Sequence, residues 1–320
     1  MSTEHRADPV SSSGSPVPEG LPVPDRPLGP EGLGLRVGPA VPDGSGTGVW
    51  RALDVPAGLD GPPGVLQGGL AAGLTVDLAR AEDRLGAPLH AVSARLEAPT
   101  ILGEPVAAHV APAGPAGWWD VETWQRGRRL VRATVELTGE DPLDALADLV
   151  ALAEGPPPPP DPDPLYPSCI VCGMGATHPL AMRTPPAYLA PDRLSVPWIP
   201  DERLADPSDP MRVATLVVAA ALDCPSAWAT VARAREDGYA AVLLGSMRLQ
   251  VAGGVEVLDP VRVTARMDAA EGRKLRARSA VVDSDGRALA VIDVLHLAVR
   301  ALPAIDTGPE GGSEVRSAAR

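Results

Sequence analysis

Residues 61–79 read Gly-Pro-Pro-Gly-Val-Leu-Gln-Gly-Gly-Leu-Ala-Ala-Gly-Leu-Thr-Val-Asp-Leu-Ala. A Pro/Gly turn leads into Gly68 and Gly69, and the apolar residues that follow recur at helical spacing, which predicts a helix over residues 68–85. Glycines at a helix start let a ligand approach the backbone. The first amides of a helix have no intrahelical acceptor and lie at the positive end of its dipole. This end is therefore a candidate site for a phosphate, a carboxylate or a polarised carbonyl oxygen, unless the glycines serve only tight packing.

Strand-like runs follow this helix, and the same order of elements occurs again in the second half of the chain. The four runs of the first half are residues 90–97, 104–110, 118–125 and 129–137. The second half has a strand over 194–199, an apolar helix over 212–228, and strands over 240–251, 261–268, 273–282 and 288–299. Turn-forming residues separate these runs. A repeated order with little residue identity predicts two copies of one structural unit.

Each half resembles the hotdog fold, in which an antiparallel sheet wraps one long helix. The segment Gly64-x-x-Gln67-Gly68-Gly69 resembles the Gly-x-x-His-Gly-Gly segment of the acyl-CoA thioesterases of that fold, with Gln67 in place of the usual His. Residues 122–137, with Arg126-Gly127-Arg128, are similar to the hairpin of the family's last two strands. The repeat over residues 46–300 resembles the double-hotdog thioesterases, which implies an α+β fold of two tandem hotdog units.

Composition divides the rest of the chain. Residues 1–45 are rich in Pro, Gly and Ser and are predicted to be disordered, as is the tail 301–320. The first unit is assigned to residues 46–139 and the second to 165–300. Between them, residues 140–164 are predicted to hold a short amphipathic helix, over 142–154, and a stiff linker that contains five consecutive prolines at 156–160.

Charge and cysteine content limit the function classes. The formal net charge is -13, which argues against a nucleic-acid or anionic-membrane partner and requires a local basic patch if coenzyme A is bound. No apolar run reaches the roughly 18–20 residues that span a bilayer, and residues 1–20 do not resemble a signal peptide. We therefore expect a cytoplasmic protein without a membrane span. Three cysteines are too few for a disulfide framework.

Four residues are the candidates for catalysis. The backbone amide of Gly69 would polarise a thioester carbonyl. Asp223 ends an apolar run, where desolvation raises the pKa of a carboxyl group and makes it a candidate base; it also resembles the acid on the second helix of the double-hotdog thioesterases. The alternative is that Asp223 only caps the helix turn that Pro225 breaks. Ser246 lies in a segment similar to the edge of the family's active-site strand, although the family's catalytic Gln has no clear match. Asp77 is close to the acid position of single-hotdog thioesterases, one residue further along, or about 100° around the helix.

The candidate substrate-binding residues are of two kinds. Gln67 and Gly68 lie at the helix start. The basic clusters of the two units' hairpins would hold the phosphates of coenzyme A through charge-assisted bonds, and their members chosen for this role are Arg126, Arg128, Arg273 and Lys274. The alternative for Asp77 is that it lies on a solvated helix face without a function. The alternative for the basic residues is that they lie on solvated hairpins and only balance the acidic surface.

The pair Cys169 and Cys172 has the spacing at which two thiolates chelate zinc. His178 is a further ligand candidate nearby, and the fold could bring Cys224 close. Because a structural zinc site needs four ligands, we interpret the pair as a turn that opens the second unit, and we predict no metal and no other cofactor. The resemblance implies hydrolysis of acyl-CoA or another acyl thioester by water. The alternatives are a non-catalytic acyl-thioester binding or scaffold protein, an acyl-CoA hydratase of the same fold, and an added adaptor role for the prolines. Assembly into a homo-oligomer is left open.

Overall fold

The computed structural model describes residues 16–83, 86, 89–138, 143, 146–161 and 165–302. Leu85, Pro142 and the tail after residue 302 lie outside the described residues. In chain order the elements are β1 (Arg26–Pro27), β2 (Arg36–Val37), β3 (Val41–Pro42), β4 (Val49–Asp54), α1 (Gly68–Glu82), β5 (Ala91–Leu96), β6 (Val106–Pro112), β7 (Trp118–Gln125), β8 (Arg128–Glu136), α2 (Ala147–Ala151), β9 (Tyr188–Ala190), β10 (Arg193–Trp198), β11 (Ala205–Asp206), β12 (Asp209–Val213), α3 (Thr215–Glu236), β13 (Ala241–Val251), β14 (Val261–Glu271), β15 (Lys274–Val282) and β16 (Ala288–Val299).

The two halves share one antiparallel sheet. Among the described residues it has 14 strands, in the order β1-β2-β4-β6-β7-β8-β5-β13-β16-β15-β14-β10-β9, with β3 paired to β4. Strands β4 to β8 belong to the first unit and β10 and β13 to β16 to the second. The units join where β5 pairs with β13, with Val92 opposite Leu249. Each unit is thus a sheet that packs on one long helix, as the sequence predicts.

The two long helices, α1 and α3, run antiparallel and pack closely at small residues. A Cβ at Gly69 would lie 2.5 Å from the carbonyl oxygen of Ala219, and one at Gly73 would lie 2.9 Å from Leu216 Cβ. Only glycine at these two positions allows the two helices to lie this close together. Residues on all sides of both helices are buried, which explains why neither helix has a polar face.

Helix α3 ends later than predicted, at Glu236 rather than residue 228, because it continues through Pro225. Proline removes one backbone hydrogen bond from a helix, but the tertiary packing of the buried α3 outweighs that loss. Of the described helices, only α3 is long and apolar enough by length and composition to cross a membrane. However, 89% of the relevant window is buried inside the protein, which is usual for a core helix.

Part of the N-terminal segment differs from the prediction of disorder. Residues 26–42 contain three short strands, and β2 and β3 both pair with β4. The side chains of Leu28, Leu33, Leu35 and Val37 are buried in the core. Composition averaged over 45 residues hides these four apolar positions, so the prediction is wrong for this part; residues 1–15 lie outside the described residues.

Helix α2 is shorter than the predicted helix over residues 142–154. Its Leu149 is buried against residues of β15 and β16, including Ala280 and Val291, and Asp148 forms an ion pair with Arg278. The linker between the units is thereby fastened to the sheet of the second unit.

Candidate active site between the two helices

A cavity of about 330 Å³ lies beside the start of α1, between the two units. Most of its lining is apolar, with Leu66, Ala71, Leu165 and Val242 among the contributors. The polar and charged side chains that line it are Gln67, Glu97, Thr100, Tyr166, Cys169, Cys172, Asp223, Cys224, Trp228, Arg273 and His296. An apolar cavity with a small set of convergent polar groups is the usual form of a small-molecule site.

Asp223 of α3 lies at the start of α1. Its Oδ2 accepts a hydrogen bond from Gln67 Nε2 at 2.7 Å and another from the backbone amide of Gly69 at 2.9 Å. The sequence singles out Asp223 and Gly69 separately, and the antiparallel packing of the helices brings them together. The positive end of the α1 dipole thus faces a carboxylate of the other unit.

The other carboxylate oxygen of Asp223 has no such partner. Oδ1 is buried and accepts no hydrogen bond from any described residue. Burial raises the pKa of this carboxyl group to about 7, although the hydrogen bonds from Gly69 and Gln67 act in the opposite direction. A buried carboxylate oxygen without a donor is costly, and at the wall of a cavity it is positioned to bind a water or a substrate proton.

The helix start offers a different amide from the predicted one. The N–H of Gly69 is engaged by Asp223, so the geometry does not support its predicted role of polarising a carbonyl. Gln67 is the N-cap of α1, and its Oε1 accepts from the amide of Leu70 at 2.7 Å. Gly68, the first residue of α1, lines the cavity, and its amide donates no hydrogen bond within the described residues. Gln67 therefore positions the helix start and Asp223 at the same time.

Asp77 lies away from the cavity. It faces the start of α3, where Gly29 of the N-terminal segment packs against both Asp77 and Leu216. Arg80 is 3.9 Å from Asp77 Oδ1 and pairs with Asp206. Burial raises the pKa of Asp77 to about 7; the charge of Arg80 lowers this pKa by a smaller amount, and the charge of Asp206 raises it slightly. Asp77 thus occupies the position related to Asp223 by the internal repeat, but the N-terminal segment covers it.

Ser246 lies on the outer face of the sheet. A bulge at Gly245 shifts the register between Leu244 and Ser246 in the pairing of β13 with β16. Leu244 lines the cavity, whereas Ser246 lines a cleft on the outer face together with Arg95. One inserted residue reverses the alternation of a strand, so the predicted hydrogen bond from Ser246 to a water in the active site is not supported.

The predicted basic residues divide into two groups. Arg273 lines the cavity, and Lys274 is the next exposed residue. Arg126 is exposed, forms an ion pair with Glu104 and does not line the cavity; neither does Arg128. Of the four predicted basic residues, only the exposed Arg273 of the second unit's hairpin lines the cavity, and Lys274 follows it on the same exposed turn.

The lining also contains polar residues outside the predicted set, His296 and Tyr166 among them. His296 is fully buried, shares a hydrogen bond of 2.9 Å with Ser226 Oγ, and has its pKa lowered to about 3 by burial, so it is neutral. Tyr166 donates to the carbonyl of Val242 at 3.3 Å, and burial raises its pKa. The alternating strand pattern around His296 predicts a packed or edge histidine rather than a base, and Tyr166 lies in a segment without periodicity.

No protein-family model matches the sequence, and no curated protein sequence matches it. Solved structures do match. The dehydratase domain of a mycocerosic acid synthase-like polyketide synthase has 17% identity and a TM-score of 0.54, covering 87% of this chain and 99% of that one. A tesB protein from Mycobacterium avium subsp. paratuberculosis has 16% identity and a TM-score of 0.53, covering 82% and 92%.

An acyl-CoA thioesterase II from Mycobacterium marinum has 14% identity and a TM-score of 0.51, covering 80% of this chain and 94% of that one. The chain has a double-hotdog fold. In this double hotdog the cavity takes one wall from each unit, with the start of α1 from the first and Asp223 from the second.

Proposed function

We propose that the protein hydrolyses an acyl thioester, such as an acyl-CoA, in this cavity. The observation that carries the proposal is the position of Asp223, which is held at Oδ2 by two donors of the first unit and leaves Oδ1 free at the wall of an apolar cavity. The thioesterases among the similar structures support a substrate of this class.

The apolar lining suits an acyl chain, and the cationic residues suit the polar end of the substrate. An acyl group would lie among Leu66, Leu165 and Val242, with its carbonyl at the start of α1. Arg273 and Lys274 at the rim would contact the phosphates of coenzyme A. They offset the repulsion that a net charge of -13 exerts on such an anion.

In the proposed reaction, a water held by Asp223 Oδ1 attacks the carbonyl carbon. The water's proton passes to Asp223, a new C–O bond forms, and the carbonyl oxygen becomes negative. The amide of Gly68 and the α1 dipole stabilise that charge. The C–S bond then breaks, the sulfur leaves with the proton from Asp223, and the products are a free acid and a thiol.

A hydrolysis assay over a series of acyl-CoA chain lengths, with detection of the released thiol, tests the proposal. We expect wild type to turn over and Asp223→Asn to lose at least about 100-fold in kcat, since general-base contributions are commonly about 10²–10⁴-fold. Asp77→Asn is the matched control, because Asp77 is the repeat-related buried carboxyl outside the cavity. Equal turnover of wild type and Asp223→Asn would refute the role of Asp223.

A second candidate is binding of the acyl thioester without hydrolysis. It is favoured by the hydrogen bonds that Gln67 and Gly69 donate to Asp223, which stabilise its carboxylate form and occupy one of the helix-start amides. Calorimetric affinity for an acyl-CoA together with no release of thiol would select this candidate.

A further inference from the structure

The three cysteines of the chain meet on one wall of the cavity. Cys169, Cys172 and Cys224 are the only cysteines in the sequence, and all three are buried. Their sulfur atoms lie within 4.8 Å of one another, and those of Cys169 and Cys224 are 3.6 Å apart although 55 residues separate them in sequence. The convergence of all three thiols of a 320-residue chain at one place requires a physical explanation.

The backbone holds the first two sulfurs in a tight turn. The amide of Gly173 donates to the carbonyl of Cys169 at 2.8 Å, and a Cβ at residue 173 would lie 2.6 Å from the amide nitrogen of Cys169. The amide of Ile170 donates to the carbonyl of Asp60 at 2.8 Å, which fastens the turn to the first unit. The third sulfur, from Cys224, comes from the rigid helix α3. All three positions are therefore fixed before any ligand arrives.

We propose that Cys169, Cys172 and Cys224 bind one Zn²⁺ ion as thiolates, with the fourth coordination position open to the cavity. Tetrahedral zinc with Zn–S bonds of about 2.3 Å places its sulfurs about 3.8 Å apart, so the observed spacing needs only small side-chain rotations. Three Zn–S bonds form and three thiol protons are released to solvent. Soft thiolate ligands select zinc over the hard cations Mg²⁺ and Ca²⁺.

A disulfide fits the cluster less well than a metal ion does. Bonded sulfurs are about 2.05 Å apart, and pairing two of three thiols would leave the third without a partner. A single metal ion, by contrast, can contact all three sulfurs, which lie within 4.8 Å of one another.

The open coordination position would lie in the cavity, beside residues of the proposed active site. Cys224 follows Asp223 directly, and Gln67 Nε2 lies 3.6 Å from Cys224 Sγ. Three protein ligands plus one exchangeable position is the arrangement of zinc sites that bind water. The metal site itself does not depend on the proposed hydrolysis, because metal content can be measured without turnover.

The first test measures the metal content of purified, untagged protein by inductively coupled plasma mass spectrometry. We expect one zinc per chain in wild type and less than about a tenth of that in Cys172→Ser and Cys224→Ser. Tyr166→Phe alters the same wall without removing a sulfur, and His109→Ala removes the imidazole that pairs with Asp43; both should keep one zinc. Zinc retained by the cysteine variants would overturn the site.

A second test uses wild type alone, in case the cysteine variants do not fold. Titration with an organomercurial should release one zinc for every three thiols modified, followed with a chromogenic zinc indicator. The chelated protein should bind one Co²⁺ and show the near-ultraviolet charge-transfer band of thiolate ligands. Folded, reduced protein that takes up neither metal, or that carries a Cys169–Cys224 disulfide by peptide mass, would overturn the proposal.

Discussion

The contact between the two helices at Gly73 gives a prediction with a definite sign. A Cβ at this position would lie 2.9 Å from Leu216 Cβ and closer still to Leu216 Cα. Because favourable contacts between carbon atoms lie at about 3.5–4.0 Å, Gly73→Ala requires α1 and α3 to separate by roughly 1 Å. The nearest atom belongs to the backbone, so no side-chain rotation relieves the clash.

The magnitude follows from two opposed terms. Alanine in a helix interior is favoured over glycine by about 1 kcal/mol. Overpacking a close contact costs about 1–3 kcal/mol, and more where the backbone has to move. Because the nearest atom is backbone, the upper cost of about 3 kcal/mol applies; subtracting the gain of about 1 kcal/mol, we expect Gly73→Ala to lower the free energy of unfolding by about 2 kcal/mol. Turnover should fall as well, because the same separation moves Asp223 away from Gln67.

Urea unfolding followed by circular dichroism measures this change, provided that the m-value stays constant. Gly253→Ala is the control, since its Cβ would meet only Leu289 Cδ2 at an ordinary 3.7 Å; its stability should change by less than about 1 kcal/mol. If Gly73→Ala is instead more stable than wild type by about 1 kcal/mol, the full gain in helix propensity, the close packing of α1 on α3 is wrong.

Three further predictions concern Asp77, the basic residues and Ser246. The pKa of Asp77 is about 7 in the folded protein against 3.8 as its ordinary value, so its contribution to stability is complete below about pH 4 and is lost as the pH rises through 7. Asp77→Asn should therefore be more stable than wild type at pH 8 by a few kcal/mol at most, with the difference shrinking toward pH 4 in urea titrations; a difference independent of pH would contradict this. The double variant Arg273→Ala/Lys274→Ala should raise KM for an acyl-CoA about threefold to tenfold but leave KM for the matching acyl-pantetheine unchanged, whereas Arg126→Ala/Arg128→Ala should change neither; equal effects of the two double variants would exclude the rim as the phosphate site. Ser246→Ala should keep wild-type kcat within about twofold, and a loss of 100-fold would place Ser246 in the chemistry after all.

The sequence predicts the architecture well because the architecture follows from periodicity. The helical spacing after Gly68 and the alternation in the strand runs are local patterns, and their repetition in the second half predicts two units. Elements were misjudged where tertiary contacts outweigh local signals. The continuation of α3 through Pro225 and the burial of Leu28 and Leu33 both depend on packing partners far away in sequence.

The candidate site is less predictable because it combines residues from both units. Asp223 and the start of α1 can each be identified by their own chemistry, but the hydrogen bond that occupies the Gly69 amide is visible only in three dimensions. The bulge at Gly245 that turns Ser246 outward interrupts an otherwise regular strand pattern, and no local signal in the sequence predicts it. The third cysteine of the cluster is 55 residues from Cys169, a distance at which no spacing rule applies.

The central claim is that the start of α1 and Asp223 together bind an acyl thioester. A crystal structure with an acyl-CoA analogue in which a methylene group replaces the sulfur tests it most directly, because the carbonyl is kept and hydrolysis is prevented. We predict the carbonyl oxygen within hydrogen-bonding distance of the Gly68 amide, a water at Asp223 Oδ1, and the acyl chain beside Leu165. An analogue bound instead beside Asp77, or in the outer cleft at Ser246, would contradict the account.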